Sequence, residues 1–262
     1  MTSRYNYILF SIACLSGIAV RTVMLLFTID PLSGFIYIDY TPHAIGLMSI
    51  LCVAGAFVFG LTLFSKINRD SKASLSSLPF QIACSVMAVA IGYETFLSPL
   101  LSKSGTVQTY VLYFLAAGAM AALIAVTVFG ILKKSFHHAI TLLPVAYWTM
   151  RLIIVFTDFS TISTISETVI ETITMCLTLA VLLFNSKLEC DQIKPSRYRF
   201  IAATALLNAY LCAVGSVPRI FSTVISLDQP THMNIIPATT GLATAVFSAV
   251  LGFTILHSIK DK

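Results

Sequence analysis

Residues 109–132, TYVLYFLAAGAMAALIAVTVFGIL, run for 24 positions without a charged side chain. About 20 apolar residues in a helix cross the ~30 Å hydrocarbon core of a bilayer, so this stretch predicts a transmembrane helix. Composition extends the prediction to the whole chain, because 57% of its 262 residues are hydrophobic, 10% are charged and the mean hydropathy is +0.91. Soluble domains carry about 45–50% apolar and about 25% charged residues. The sequence therefore predicts an all-α, polytopic integral membrane protein.

Eight segments meet the same criterion of length and hydropathy, and only short connections separate them. Their predicted bounds are Tyr7–Thr28, Ala44–Ser65, Leu78–Leu100, Thr109–Leu132, Ala139–Thr157, Glu167–Phe184, Phe200–Phe221 and Ile235–His257. The sequence thus predicts a single transmembrane domain over residues 1–262. The first segment is longer than the 7–15 apolar residues of a signal peptide, so we expect it to be an uncleaved span.

Basic residues predict the orientation of the helices, because cytoplasmic loops carry an excess of lysine and arginine. Twelve of the sixteen Lys and Arg fall in alternate loops: Arg4, Lys66, Arg69, Lys72, Lys133, Lys134, Lys187, Lys194, Arg197, Arg199, Lys260 and Lys262. The other loops contain only Lys103. Both termini are therefore predicted to be cytoplasmic, in a cell membrane of the bacterial inner-membrane type. The net charge of +5 follows from this asymmetry and calls for no nucleic-acid partner.

An internal tandem repeat of four helices is a further prediction. Residues 21–30, RTVMLLFTID, resemble residues 151–158, RLIIVFTD, since each has an arginine followed by Phe-Thr and an aspartate. The offset divides the chain into a first four-helix half, 1–135, and a second, 136–262. Four spans return the chain to its starting side, so the halves would share one orientation. Chance similarity between apolar helices is the alternative explanation.

Five charged side chains lie within the predicted spans, where each costs about 2.5–3.5 kcal/mol at the bilayer centre on translocon scales. They are Arg21, Glu94, Arg151, Glu171 and Arg219. The predicted orientation places all five in the outer half of the membrane. Charged groups at such depth face the interior of a bundle or a wet cavity rather than lipid.

The predicted ligand site consists of these five residues together with Tyr147, Trp148 and Asn208, and two interpretations of it stay open. In the first, arginine–carboxylate pairs tie helices together. In the second, the charges line an outward-facing cavity, where three arginines bind a small polar or anionic solute. The two glutamates would then hold the arginines or carry a coupling proton, and the two aromatic rings would pack against the solute. Three arginines against two glutamates leave one positive charge for an anion to neutralise.

A small-solute transporter, with an anion as one candidate solute, is the leading functional prediction. A non-transporting sensor or partner subunit that binds an external ligand is the first alternative, because the inner half of the spans carries no charge. An intramembrane enzyme that uses Glu94 or Glu171 as acid or base is the second alternative. No catalytic residue, metal site or cofactor is predicted, since no lysine lies in a span and the six cysteines lack CxxC spacing. The predicted partners are the lipid bilayer and the solute, and the sequence gives no prediction of oligomeric state.

Overall fold

A computed structural model describes residues 3–29, 36–64, 77–97, 107–132, 138–159, 165–190, 192–225 and 235–258. Eight α-helices make up most of these residues: α1 (Ser3–Phe27), α2 (Thr41–Leu63), α3 (Leu78–Leu97), α4 (Val107–Leu132), α5 (Leu143–Phe159), α6 (Ile165–Glu189), α7 (Tyr198–Ile225) and α8 (Ile235–Ser258). Short 3-10 helices precede α2, α5 and α7 at Ile38–Tyr40, His138–Leu142 and Pro195–Arg197. Each α-helix contains a segment long and apolar enough to cross a membrane. The predicted all-α fold is confirmed, with eight helices long and apolar enough to cross a membrane.

Two helices extend well beyond their predicted ends. Helix α6 continues from Phe184 to Glu189, because Asn185 and Ser186 are buried and the Ser186 hydroxyl hydrogen-bonds to Thr141 at 2.7 Å. Helix α7 runs through Pro218 to Ile225, so this proline does not end it. Burial of Asn185 and Ser186 accounts for the later end of α6, whereas the segment of α7 apolar enough to cross a membrane ends at Ser222, one residue after the predicted span.

Six helices form a closed ring. Helices α3 to α8 each pack against the next in sequence, and α8 packs back against α3. One apolar cluster fills the ring and draws on all six helices, with Phe80, Ala116, Trp148, Met175 and Phe247 among its buried members. The ring therefore encloses a packed core over most of its length.

Helices α1 and α2 pack against one another and against α7, outside the ring. Tyr210 of α7 is fully buried and donates a hydrogen bond from its hydroxyl to the Leu51 carbonyl at 3.1 Å. Gly17 of α1 and Gly55 of α2 lie against the same tyrosine ring, where a Cβ atom would come within 2.8 Å and 3.4 Å of it, respectively. Small residues let helix backbones approach closely in a membrane, so α7 makes most of the contact between the ring and the outer pair, with Tyr7 and Phe10 of α1 packing on Phe253 of α8 as well.

The ring takes two helices from residues 1–135 and four from residues 136–262. These contacts do not test whether the chain arose by duplication, so the tandem repeat stays a prediction. The orientation of the termini also stays a prediction. Of the basic loops on which it rests, Lys66, Arg69, Lys72, Lys133, Lys134, Lys260 and Lys262 lie outside the described residues.

Candidate functional site

Glu94, Arg151, Glu171 and Arg219 meet near one end of the ring, where α3, α5 and α7 finish and α6 and α8 begin. We call this the cavity end. Glu94 lies one turn from the end of α3, and its side chain reaches α5. Glu171 lies in the second turn of α6 and contacts α7. Four of the five predicted intramembrane charges are thus brought together from four helices.

Glu94 and Arg151 form the tighter of two ion pairs, with Arg151 Nη2 at 2.7 Å from Glu94 Oε1. Both side chains are about one-tenth exposed. Because α4 separates α3 from α5 in the ring, this contact crosses the interior. The Thr240 side chain of α8 also lies beside the carboxylate. The pair therefore joins three helices.

Two polar atoms of this pair have no hydrogen-bond partner among the described residues: Glu94 Oε2 and Arg151 Nη1. The same holds for the indole Nε1 of Trp148, whose ring lies under the Arg151 guanidinium at 4.5 Å. That distance is within the range of a cation–π interaction. Tyr147 packs edge-on against the indole with ring centroids 6.0 Å apart. Arg151 and Trp148 thus offer two buried donors that lack acceptors.

Glu171 and Arg219 form a looser pair, 3.5 Å from Oε2 to Nη1, with the carboxylate side chain 28% exposed. Together the two pairs contain two cations and two anions. The third predicted arginine, Arg21, takes part in neither pair.

A polar cavity of about 50 Å³ lies between α5, α6, α7 and α8. That volume accommodates a few water molecules. Trp148 and Arg151 line it together with further polar side chains, namely Glu171, Thr174, Thr178, Ser216, Arg219 and Thr244. The cavity therefore presents guanidinium, carboxylate and hydroxyl groups to one small space.

Asn208 lies beneath this cavity and connects three helices. Its Nδ2 donates to Ser248 Oγ of α8 at 2.9 Å and to Thr178 Oγ1 of α6 at 3.2 Å. The Cys212 thiol, which lines the cavity, contacts Asn208 Oδ1 at 3.6 Å. Beyond this network the ring is filled by apolar side chains such as Val181 and Leu251. Asn208 thus separates the polar cavity from the packed apolar core.

Arg21 lies apart from this site. It is buried on α1, which packs on α2 and α7, and its Nη1 approaches Met24 Sδ at 3.4 Å. It is not among the residues that line the cavity. The structure therefore brings seven of the eight predicted site residues into one region and leaves Arg21 outside.

Ser216 and Thr240 are among the contributors to the site that lie outside the eight predicted site residues. Thr240, Thr244 and Ser248 are spaced four residues apart on one face of α8, and all three are fully buried. This spacing of hydroxyl groups already indicated in the sequence that the face is polar. Ser216 lies one turn before Arg219 on α7 and gave a weaker signal. Among the described residues, no group of three His, Cys, Asp or Glu side chains could hold a metal ion.

Comparison of the chain with protein-family models, curated proteins and solved structures found no match. Function therefore has to be argued from the cavity itself.

Proposed function

We propose that this multi-pass membrane protein binds a small anion, or another solute with a strong hydrogen-bond acceptor, in the polar cavity and carries it across the membrane. The unsatisfied donors Arg151 Nη1 and Trp148 Nε1 are the observation that carries the proposal. A buried donor without an acceptor costs about 1–3 kcal/mol, more when it is charged. A bound anion would remove that cost for both residues.

The two arginines and two glutamates of the site balance in charge. A ligand would therefore be held by hydrogen-bond donors rather than by surplus positive charge. Glu94 already neutralises Arg151, and Glu171 pairs with Arg219. The looser pair is the part of the site that can rearrange around a solute, because its atoms are farther apart and more exposed. The cavity of about 50 Å³ favours an ion of the size of a halide, nitrate or formate.

Flux measurements on reconstituted protein test this proposal with chloride, nitrate and formate as probes. We expect saturable efflux of at least one probe from liposomes. Trp148→Phe keeps an aromatic ring and removes the Nε1 donor, so we expect at least tenfold weaker apparent affinity, in line with about 1.5–3 kcal/mol for a hydrogen bond to a charged group.

Tyr198→Phe is the matched control, because it removes a polar group from a buried aromatic residue at the opposite end of the ring. It should leave flux within twofold of the wild type. If Trp148→Phe and Tyr198→Phe gave equal affinities, the donors would not bind the solute and the proposal would fail.

A ligand sensor or partner subunit is the second candidate, and the packed core beneath Asn208 favours it. A carrier must open to both sides, whereas a sensor needs access from one side only. Saturable binding of a probe to the purified protein, weakened by Trp148→Phe but without flux in liposomes, would support the sensor. The intramembrane enzyme that would use Glu94 or Glu171 as acid or base gains little support. The cavity beside Glu171 is far smaller than a lipid substrate.

A further inference from the structure

A second pocket lies at the opposite end of the ring, between the end of α6 and the start of α7. Its volume is about 500 Å³, ten times that of the polar cavity. We call it the basic pocket, because Lys187, Lys194 and Arg197 line it together with Gln192. Its apolar side includes Phe184 and Phe200. We infer that the basic pocket binds a phosphate group, carried by the headgroup of an anionic membrane lipid.

The backbone between α6 and α7 gathers the three cations. Lys187 lies in the last turn of α6, and its carbonyl accepts a hydrogen bond from Gln192 N at 3.0 Å. The Lys194 carbonyl accepts from Arg197 N at 2.9 Å and closes the next turn. Two consecutive turns thus place three basic residues, at most ten positions apart in sequence, around one space.

The positive charge of the pocket is not neutralised by the described part of the chain. The Glu94–Arg151 and Glu171–Arg219 pairs lie at the other end of the ring, and no acidic side chain in the described part of the chain pairs with Lys187, Lys194 or Arg197. Glu189, the nearest described acid in sequence, is partly buried and is not among the residues that line the pocket. The three cations therefore remain available to an anion, and phosphate oxygens accept several hydrogen bonds from Lys and Arg at once.

The aromatic side of the pocket favours a lipid over a free phosphate ester. Phe184 and Phe200 meet edge-on with ring centroids 6.0 Å apart, and Phe200 is 49% exposed. Both residues belong to segments that can span a membrane, so the pocket lies where such a helix pair leaves the hydrocarbon. Basic pockets between transmembrane helices at that depth suit phosphate headgroups, with the acyl chain against the apolar wall.

Lipid titration of the delipidated, full-length protein in neutral detergent, followed by native mass spectrometry, tests this inference. The probes are phosphatidylglycerol, zwitterionic phosphatidylcholine and soluble glycerol 3-phosphate. We expect phosphatidylglycerol to bind most tightly. The triple variant Lys187→Gln, Lys194→Gln, Arg197→Gln should bind it about 100-fold more weakly, at about 1 kcal/mol per basic residue and 1.4 kcal/mol per tenfold change.

Lys66→Gln, Arg69→Gln, Lys72→Gln is the matched control, because it removes the same charge from another basic loop. It should change the affinity less than threefold. If phosphatidylglycerol binding were weakened equally in both triple variants, or in neither, the basic pocket would not be the lipid site. Glycerol 3-phosphate binding as tightly as phosphatidylglycerol would overturn the lipid as the source of the phosphate. Unfolding curves of both variants should match the wild type, since the replaced side chains in the pocket are exposed.

Discussion

Two arginine–carboxylate pairs lie at the same end of this bundle and differ in atomic separation, in exposure and in the helices that they join. Arg151 and Glu94 are 2.7 Å apart and about one-tenth exposed, whereas Arg219 and Glu171 are 3.5 Å apart and reach 28% exposure. The first pair spans the ring from α5 to α3, and the second joins neighbouring helices beside the cavity. The tight pair therefore ties helices together, and we propose that the loose pair is the one that responds to a solute.

Removing one partner of the tight pair should produce the largest loss of stability. Arg151→Met leaves Glu94 as a buried carboxylate without its cation, which costs about 3–5 kcal/mol. The free energy of unfolding, measured by denaturant titration in mixed micelles, checks this. Arg197→Met, the same replacement at an exposed position, should change it little. A loss below about 1 kcal/mol for Arg151→Met would remove the distinction between the pairs.

Removing both partners should restore much of that loss. Apolar replacements of a whole buried ion pair are often neutral or stabilising, because the desolvation of two charges is avoided. We expect Glu94→Leu, Arg151→Met to recover at least about 2 kcal/mol relative to Arg151→Met in the same titration. A double variant as unstable as the sum of the two single variants would mean that the side chains act independently.

The neutral network beneath the cavity should contribute less than the tight pair. Asn208→Leu leaves the Thr178 and Ser248 hydroxyls without their shared partner, for an expected loss of about 1–3 kcal/mol. Thr204→Val is the control one turn away, because the Thr204 hydroxyl donates to the Phe200 carbonyl of its own helix. Thermal unfolding of the two variants should rank Asn208→Leu below Thr204→Val, and the reverse order would contradict a joining role for the amide.

The loose pair should affect stability least. Glu171→Gln removes a partly exposed ion pair, and such pairs contribute about 0–1 kcal/mol. We expect its unfolding curve to lie close to that of the wild type while its probe affinity in the flux assay changes. A destabilisation as large as that of Arg151→Met would show that both pairs are structural.

Much of the fold could be predicted from the sequence, because the length of an apolar segment depends only on residues that are neighbours in the chain. The eight spans and the polar faces of α6, α7 and α8 depend on residues three or four positions apart, such as Thr174 with Thr178. The predicted end at Phe184 was too early, because Asn185 and Ser186 are polar yet buried, and the helix continues through them to Glu189.

The composition of the site was harder to predict because it depends on which helices become neighbours. Arg21 and Arg151 have similar sequence surroundings, yet α1 packs outside the ring and α5 within it. Likewise, no spacing along the chain indicates that Arg151 faces Glu94 across the ring rather than Glu171 on the next helix. Counting three arginines against two glutamates therefore overestimated the positive charge of the cavity.

The contact between α3 and α8 has a consequence for how the chain assembles during synthesis. Helices enter the membrane in sequence order and associate afterwards. Glu94 on α3 therefore enters the membrane before its partner Arg151 on α5, and the ring stays open between α3 and α8 until the eighth helix is inserted. Until that moment, hydroxyls and charges that end up inside the bundle face lipid or the insertion machinery. Because α8 closes the ring against α3, the ring can be completed only after the last helix has been inserted.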